Sequence, residues 1–370
     1  MTTDFDDLLA AFSESVSEVL RSKCDRRTVH GYYDGKNDLD AALWLTAVEL
    51  GWLGVGVDEA AGGLGLGVAG LDVLHRQLGA AAAPGPFLST LVGAQWLSRQ
   101  AGSGETAAVV QQIVAGELTL GIPVAPGGAA TPLRAGRLAG TSAPLLIPAS
   151  AGMAVIEVEN EAGRALALVA VGEKSARLEG IELWDRTRRV GRLACEGVAP
   201  LLVVPDADGA AGNLLRRYFA LAVAGDCVGA ARAIAGQTVA YLKDRQQFGR
   251  PLASLQALKH RVAKMFVAIV EAEQQLEHAI EAASLESPSA VLWAFLAKAS
   301  ASEAFYFVAD DCLQLHGGVG FTWEFDCHIF LKRALLAREL CGDNRAMRNL
   351  AAEALALAAR EGRSTADIAA

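Results

Sequence analysis

The 370-residue chain is poor in aromatics, at 6%, and only 20% of it is charged. Its six cysteines, Cys24, Cys195, Cys227, Cys312, Cys327 and Cys341, form no CxxC pair. That scatter excludes a zinc ribbon or a disulfide scaffold, and it reads as reduced, buried thiols in a cytoplasmic protein with no metal site. The longest apolar stretches are interrupted by charges such as Glu49 and Asp58, short of the 18 or more residues a membrane span needs. The first residues, MTTDFDDLLAAF, are acidic and amphipathic, unlike a signal or transit peptide. With a net charge of −9 and no basic stripe, nucleic acid is not an expected partner.

What the chain does have is 38 glycines and a 52% hydrophobic composition, enough for two or three packed domains. Residues 1–118 carry apolar side chains at helical spacing, as in LLAAFSESVSEVL and AALWLTAVELGWL. Residues 119–208 change to short β-like runs, TLGIPV, MAVIEVEN, RALALVAV and PLLVVP, separated by Gly, Pro and Ala. From 209 to 370 the pattern is helical again. Leu255, Leu258, Val262, Met265, Ile269, Ala272, Leu276 and Ile280 make one stripe of about seven turns. Similar stripes cover 214–242, 289–313 and 329–358. The expected fold class is α+β and mostly helical: an N-terminal all-α domain, a small central β-barrel domain and a C-terminal four-helix bundle.

Two segments of the bundle carry chemistry. DRQQFGRPLASLQ puts Arg245 just before a Phe-Gly turn at a helix end, and a guanidinium's planar fork suits a pyrophosphate. The same residues would also serve as an ordinary helix C-terminus capped at Gly249. QLHGGVGF sets Gln314 three residues before Gly317-Gly318, a pair that lets backbone approach a ligand closely, or simply turns between helices. Their order and spacing within one bundle strengthen both.

RQQFG followed by Gln256, then QLHGGVGF some seventy residues on, resembles the two flavin-binding signatures of the acyl-CoA dehydrogenase family. LWLTAVELGWLGVGVDEAAGGLGLG, LGAAAAPGPFLSTLVGA and WDRTRRVGRL extend the resemblance over nearly the whole chain, and the middle one is similar to sterol-degrading bacterial members. The family's three-part architecture agrees with the texture above. The resemblance implies an FAD flavoprotein that desaturates an acyl-CoA thioester: a carboxylate removes the α-proton while the β-hydride passes to the flavin. It implies that Arg245, Phe248, Gln256, Gln314, Gly317 and Gly318 contact the FAD of a neighbouring subunit, and that an electron-transfer flavoprotein accepts the electrons.

The chain departs from that family twice. Where a Thr-Glu-Pro-Gly-x-Gly-Ser-like loop holds the flavin of the same subunit, it reads GIPVAPGGAATPL (121–133); in place of a Trp-centred strand, it reads GTSAPLLIPAS. The usual catalytic Glu-Gly aligns with Cys341-Gly342, and a second family location for the base aligns with Phe219. A thiol, with an ordinary pKa of about 8.5 that burial raises, is a poor base. Asp226 remains, two turns beyond Phe219 on one helix face, as either a satisfied structural carboxylate or a catalytic one. Three expectations result: a subunit of an α2β2 heterotetramer that completes the FAD site of a catalytic paralogue acting on steroid-CoA, a homotetramer using Asp226, or a catalytically dead scaffold.

Overall fold

The computed structural model describes residues 3–33, 40–100, 104–172 and 176–362. The chain divides into two compact units, each built from separated segments. One comprises Met1–Arg26, Asp72–Ala83 and Ala220–Ala370; the other comprises Arg27–Leu71 and Pro84–Phe219.

The N-terminal region is helical: α1 Thr3–Lys23, α2 Arg26–Tyr33, α3 Ala41–Glu49, α4 Gly67–Ala80, α5 Phe87–Gln100 and α6 Glu105–Val114. Helix α3 starts where the Asp40 side chain accepts from the Leu43 amide, and it stops before Gly51, whose φ of 73° only glycine adopts readily. Two buried indole N–H groups find carbonyls: Trp44 donates to Gly116 O at 3.1 Å and Trp96 to Ala211 O at 3.0 Å.

The central region is a mixed nine-stranded sheet: β1 Leu120–Pro123, β2 Thr131–Arg134, β3 Arg137–Thr141, β4 Leu145–Leu146, β5 Met153–Asn160, β6 Gly163–Ala170, β7 Ala176–Ile181, β8 Val190–Val198 and β9 Leu202–Pro205. The pairing order is β1-β4-β8-β3-β2-β5-β6-β9, with β7 added on β8 and β1 also paired to β5. Strands β1 and β2 both run parallel to β5, and the other pairings are antiparallel. The two-residue period sends Ala154, Ile156 and Val158 of β5 and Ala165, Ala167 and Val169 of β6 into one core. Glu157 and Arg164 therefore lie on the opposite face of that pair.

The C-terminal region contains α7 Ala210–Asp244, a hairpin of β10 Gln246–Gln247 and β11 Arg250–Pro251, then α8 Gln256–Ser284, α9 Ala290–His316, α10 Cys327–Glu339 and α11 Asn344–Arg360. The fourth bundle helix expected over 329–358 is in fact two. The break falls at Cys341-Gly342, where φ is 65° and 103°. Lys298 of α9, fully buried, fixes this corner by donating to Arg338 O (2.9 Å), Gly342 O (2.6 Å) and Asn344 Oδ1 (3.1 Å). Asp343 then caps α11 by accepting from the Ala346 amide at 2.7 Å. A buried ammonium satisfying three oxygens outweighs helical continuity there. Along α8, Met265 to Ile280 of the apolar stripe are buried, whereas Leu255, Leu258 and Val262 are only half-buried.

Helices α4 and α7 cross in close contact. A Cβ at Gly79 would lie 2.0 Å from Asp226 O, and one at Gly229 would lie 1.9 Å from Arg76 O. Helix α7 and the stretch Ala290–Phe321 are long and apolar enough to cross a membrane, although the sequence showed no apolar run of that length. Their apolar windows are 83% and 61% buried within the protein, which is what core helices of a bundle require.

Candidate functional site

One end of the bundle gathers the residues singled out in RQQFG and QLHGG. At the end of α7, Tyr241 stacks on His316 with ring centroids 4.3 Å apart, and its hydroxyl donates to His316 O at 3.4 Å. Arg261 near the start of α8 grips Asp311 near the end of α9 through two guanidinium nitrogens, at 2.5 and 3.2 Å. These two ties bring the turn after α7, the first residue of α8 and the loop after α9 to one end. Phe248 and Gly249, both at positive φ (54° and 74°), form the two-residue turn between β10 and β11. Phe248 is 87% exposed in that sterically costly conformation.

All six predicted residues are exposed on this end: Arg245, Phe248, Gln256, Gln314, Gly317 and Gly318. Among the described residues the Arg245 guanidinium has no hydrogen bond or ion pair, while Gln256 Nε2 lies 3.2 Å from His260 Nε2. Gly317 has φ 64° and ψ −145°, and no atom stands within 4 Å of a Cβ built at Gly317, Gly318 or Gly249. The Gly317 amide donates to Gln314 O, and the space beside all three glycines leaves room for a ligand to come close to the backbone.

Sequence reasoning missed the support beneath them. His316 is buried, with Nδ1 2.8 Å from Cys312 O and 3.3 Å from Cys327 Sγ, and burial pushes its pKa down. Burial pushes the Cys312 and Cys327 thiols up to about 12, so both are unreactive packing groups. The His inside QLHGG was the available signal.

On the sheet, residues 124–130 link β1 to β2 and border a cleft of about 480 Å³. Its walls are mostly apolar (Val124, Ala125, Ala129, Pro144), with Thr141, Ser142 and Arg192 as polar members. The glycine tip of the loop is already engaged. Gly127 N–H donates to Glu157, Arg164 donates to the Gly127 and Gly128 carbonyls, and Arg216 Nε donates to Pro126 O at 3.0 Å.

The three positions considered for a catalytic base differ sharply. Phe219 is wholly buried and cannot titrate. Cys341 is 1% exposed, at the corner held by Lys298. Asp226 is 1% exposed and accepts from Arg333 of α10 through both oxygens, Nε–Oδ2 at 3.1 Å and Nη2–Oδ1 at 2.5 Å. Arg333 Nη1 also donates to Ala83 O, just beyond α4. The carboxylate therefore works as one corner of a clamp joining α7, α10 and the α4 end.

The profile of the acyl-CoA dehydrogenase N-terminal domain matches residues 7–130, and that of the C-terminal domain matches residues 217–356. The chain belongs to the acyl-CoA dehydrogenase family. It is similar to the acyl-CoA dehydrogenase IpdE2 of Mycobacterium tuberculosis, 28% identical over 87% of this chain and 89% of the relative. IpdE2 of Mycolicibacterium smegmatis is 43% identical over 36% of this chain and 42% of its own length. Among solved structures, a variant of the Tcur3481–Tcur3483 steroid acyl-CoA dehydrogenase superposes with TM-score 0.88 at 25% identity, covering 96% of this chain and 99% of that one. The ChsE4–ChsE5 complex of M. tuberculosis, 24% identical over 96% and 98% of the two chains with TM-score 0.86, shares the fold.

As an acyl-CoA dehydrogenase the chain is an oxidoreductase acting on CH–CH bonds, of an FAD-dependent family. The residues present fit that cofactor unevenly. The bundle end offers an exposed guanidinium with no hydrogen bond or ion pair among the described residues, and glycine backbone with open space beside it, features that suit an anionic dinucleotide. The sheet loop does not fit, because the Gly127 amide that would serve a ligand serves Glu157 instead.

Proposed function

We propose that this chain is one subunit of a heteromeric acyl-CoA dehydrogenase, lending Arg245, Phe248, Gln256, Gln314, Gly317 and Gly318 to an FAD held mainly by a paralogous catalytic subunit. The observation that carries this reading is the condition of the acid positions. Asp226 is locked in a buried ion pair with Arg333, and position 341 holds a thiol. A general base must reach the proton it removes, so the α-proton of the thioester would be taken by a carboxylate of the partner. The chemistry FAD supplies when bound is uptake of the hydride from the β-carbon.

In this reading Arg245 binds and orients: its exposed guanidinium meets the cofactor's pyrophosphate while Gly317-Gly318 lets backbone come close. The likeness to the two-component Tcur3481–Tcur3483 steroid acyl-CoA dehydrogenase supports steroid-CoA thioesters as the substrate class and a heterotetramer as the assembly. An electron-transfer flavoprotein would reoxidise the flavin.

The test is flavin stoichiometry. Purified alone, the chain should hold well under one FAD per polypeptide, and co-expression with the paralogue should yield a yellow complex. One FAD per chain in the isolated protein, with acyl-CoA turnover, would refute the heteromeric reading in favour of a self-sufficient enzyme.

A further inference from the structure

The glycine tip of the loop between β1 and β2 has the makings of an anion site. Gly127 sits at φ 97°, Gly128 is next, and successive amides in such a turn form a concavity that receives negative charge. Two guanidiniums surround it. Arg164 reaches the Gly127 and Gly128 carbonyls, and Arg216 donates to Pro126 O and, at 2.7 Å, to Asn213 Oδ1. The fit is close enough that a Cβ on Gly127 would lie 2.3 Å from Arg216 Nη2.

The anion there belongs to the chain itself. Glu157, from the face of β5 turned away from the sheet core, places Oε1 on the Gly127 amide, and the Gly128 amide lies beside the same carboxylate. Its Oε2 is buried without a hydrogen-bond partner. Burial raises the Glu157 pKa even though the Gly127 amide, Arg164 and Arg216 all favour its charge. The carboxylate is thus held at a cost, in a place where a solvated glutamate would be easier to accommodate.

We infer that Glu157 is an internal anion filling the phosphate-receiving turn of this chain's own sheet loop, and that it keeps a cofactor phosphate from binding there. The inference rests on the heteromeric reading, and it names the residue that directs the dinucleotide to the partner's sheet. Replacing Glu157 with Ala leaves Arg164, Arg216 and two glycine amides facing a vacated position. A pyrophosphate carries the charge and the acceptor oxygens to take it.

The test uses the full chain in an Arg245→Ala background, so that the bundle end contributes no anion binding. Inorganic pyrophosphate and ADP are titrated calorimetrically, with a thermal melt confirming that each variant folds. The chain retaining Glu157 should show no saturable binding at millimolar ligand. Glu157→Ala should bind both probes at least tenfold tighter, and adding Arg164→Ala should abolish the gain. Glu157→Gln, which keeps the shape and removes the charge, should gain affinity to a lesser degree, and it carries the test if the alanine variant does not fold. Equal pyrophosphate binding with and without Glu157, or a folded Glu157→Ala chain that binds neither probe, would overturn the inference. Failure of the heteromeric reading would appear separately, as full flavin content in the isolated chain with Arg245 intact.

Discussion

Both carboxylate oxygens of Asp226 are bound by the guanidinium of Arg333, and both side chains are 2% exposed. Breaking a buried pair by neutralising one partner strands the other charge, at a typical cost of about 3–5 kcal/mol. Asp226→Asn should therefore destabilise the chain by that much, as read from urea unfolding. The double variant Asp226→Leu/Arg333→Met should recover most of the loss, since apolar side chains of similar volume often replace buried pairs without penalty. In the assembled enzyme Asp226→Asn should leave turnover within a few-fold. Loss of a general base costs about 10²–10⁴ in rate, so a deficit of that size with flavin retained would make Asp226 catalytic.

Arg245 is exposed and its side chain makes no hydrogen bond or ion pair among the described residues, so Arg245→Ala should not shift the melting temperature. A charge-assisted bond to a pyrophosphate is lost, which should weaken FAD retention in the complex roughly 10- to 100-fold. Flavin fluorescence in the filtrate after gel filtration measures it.

Lys298 supplies hydrogens to three oxygens at the corner between α10 and α11. Lys298→Met keeps the packing volume but takes the ammonium from the Arg338 and Gly342 carbonyls, while Asn344 Oδ1 still accepts from Ser302 Oγ at 2.8 Å, and each buried unsatisfied group costs about 1–3 kcal/mol. A destabilisation above about 2 kcal/mol is expected in equilibrium unfolding. Cys341→Ala, at the same corner, should leave turnover of the complex unchanged.

Asp72, buried in α4, has its pKa raised above the ordinary 3.8, chiefly by desolvation, with Arg76 opposing and Glu277 and Glu273 adding to the rise. The folded state then holds this proton more tightly than the unfolded chain. The resulting stability is present below 3.8 and is lost as pH climbs through the raised value. Asp72→Asn should flatten that part of the stability–pH curve, as read from urea midpoints upward from about pH 4. An unchanged slope would assign the dependence to other groups.

Much of the architecture was legible because helical and strand periods are local. The α8 stripe, the four β-like runs and the chemistry of RQQFG and QLHGG could all be read within windows of a few turns. The decisive contacts could not. Asp226 and Arg333 are 107 residues apart, and Glu157 meets Gly127 across 30 residues, only because β5 runs beside β1 and β2. The helix break was visible as Cys-Gly, yet the apolar spacing on either side carried the eye across it. Only the buried ammonium of Lys298, far away in sequence, shows why the chain turns there.

The interleaving of the two units also sets a schedule for synthesis. The segment ending at Arg26 and the segment Asp72–Ala83 belong with Ala220–Ala370, which begins about 190 residues beyond Arg26. At about 5–20 residues per second, a ribosome takes roughly 10–40 s to make that stretch. Helix α1 must wait that long for the later part of its unit, and the glycine-notched face of α4, made about 140 residues ahead of Ala220, waits roughly 7–27 s for α7. During the wait, the emerging chain needs shelter for apolar surface that its own later residues will cover.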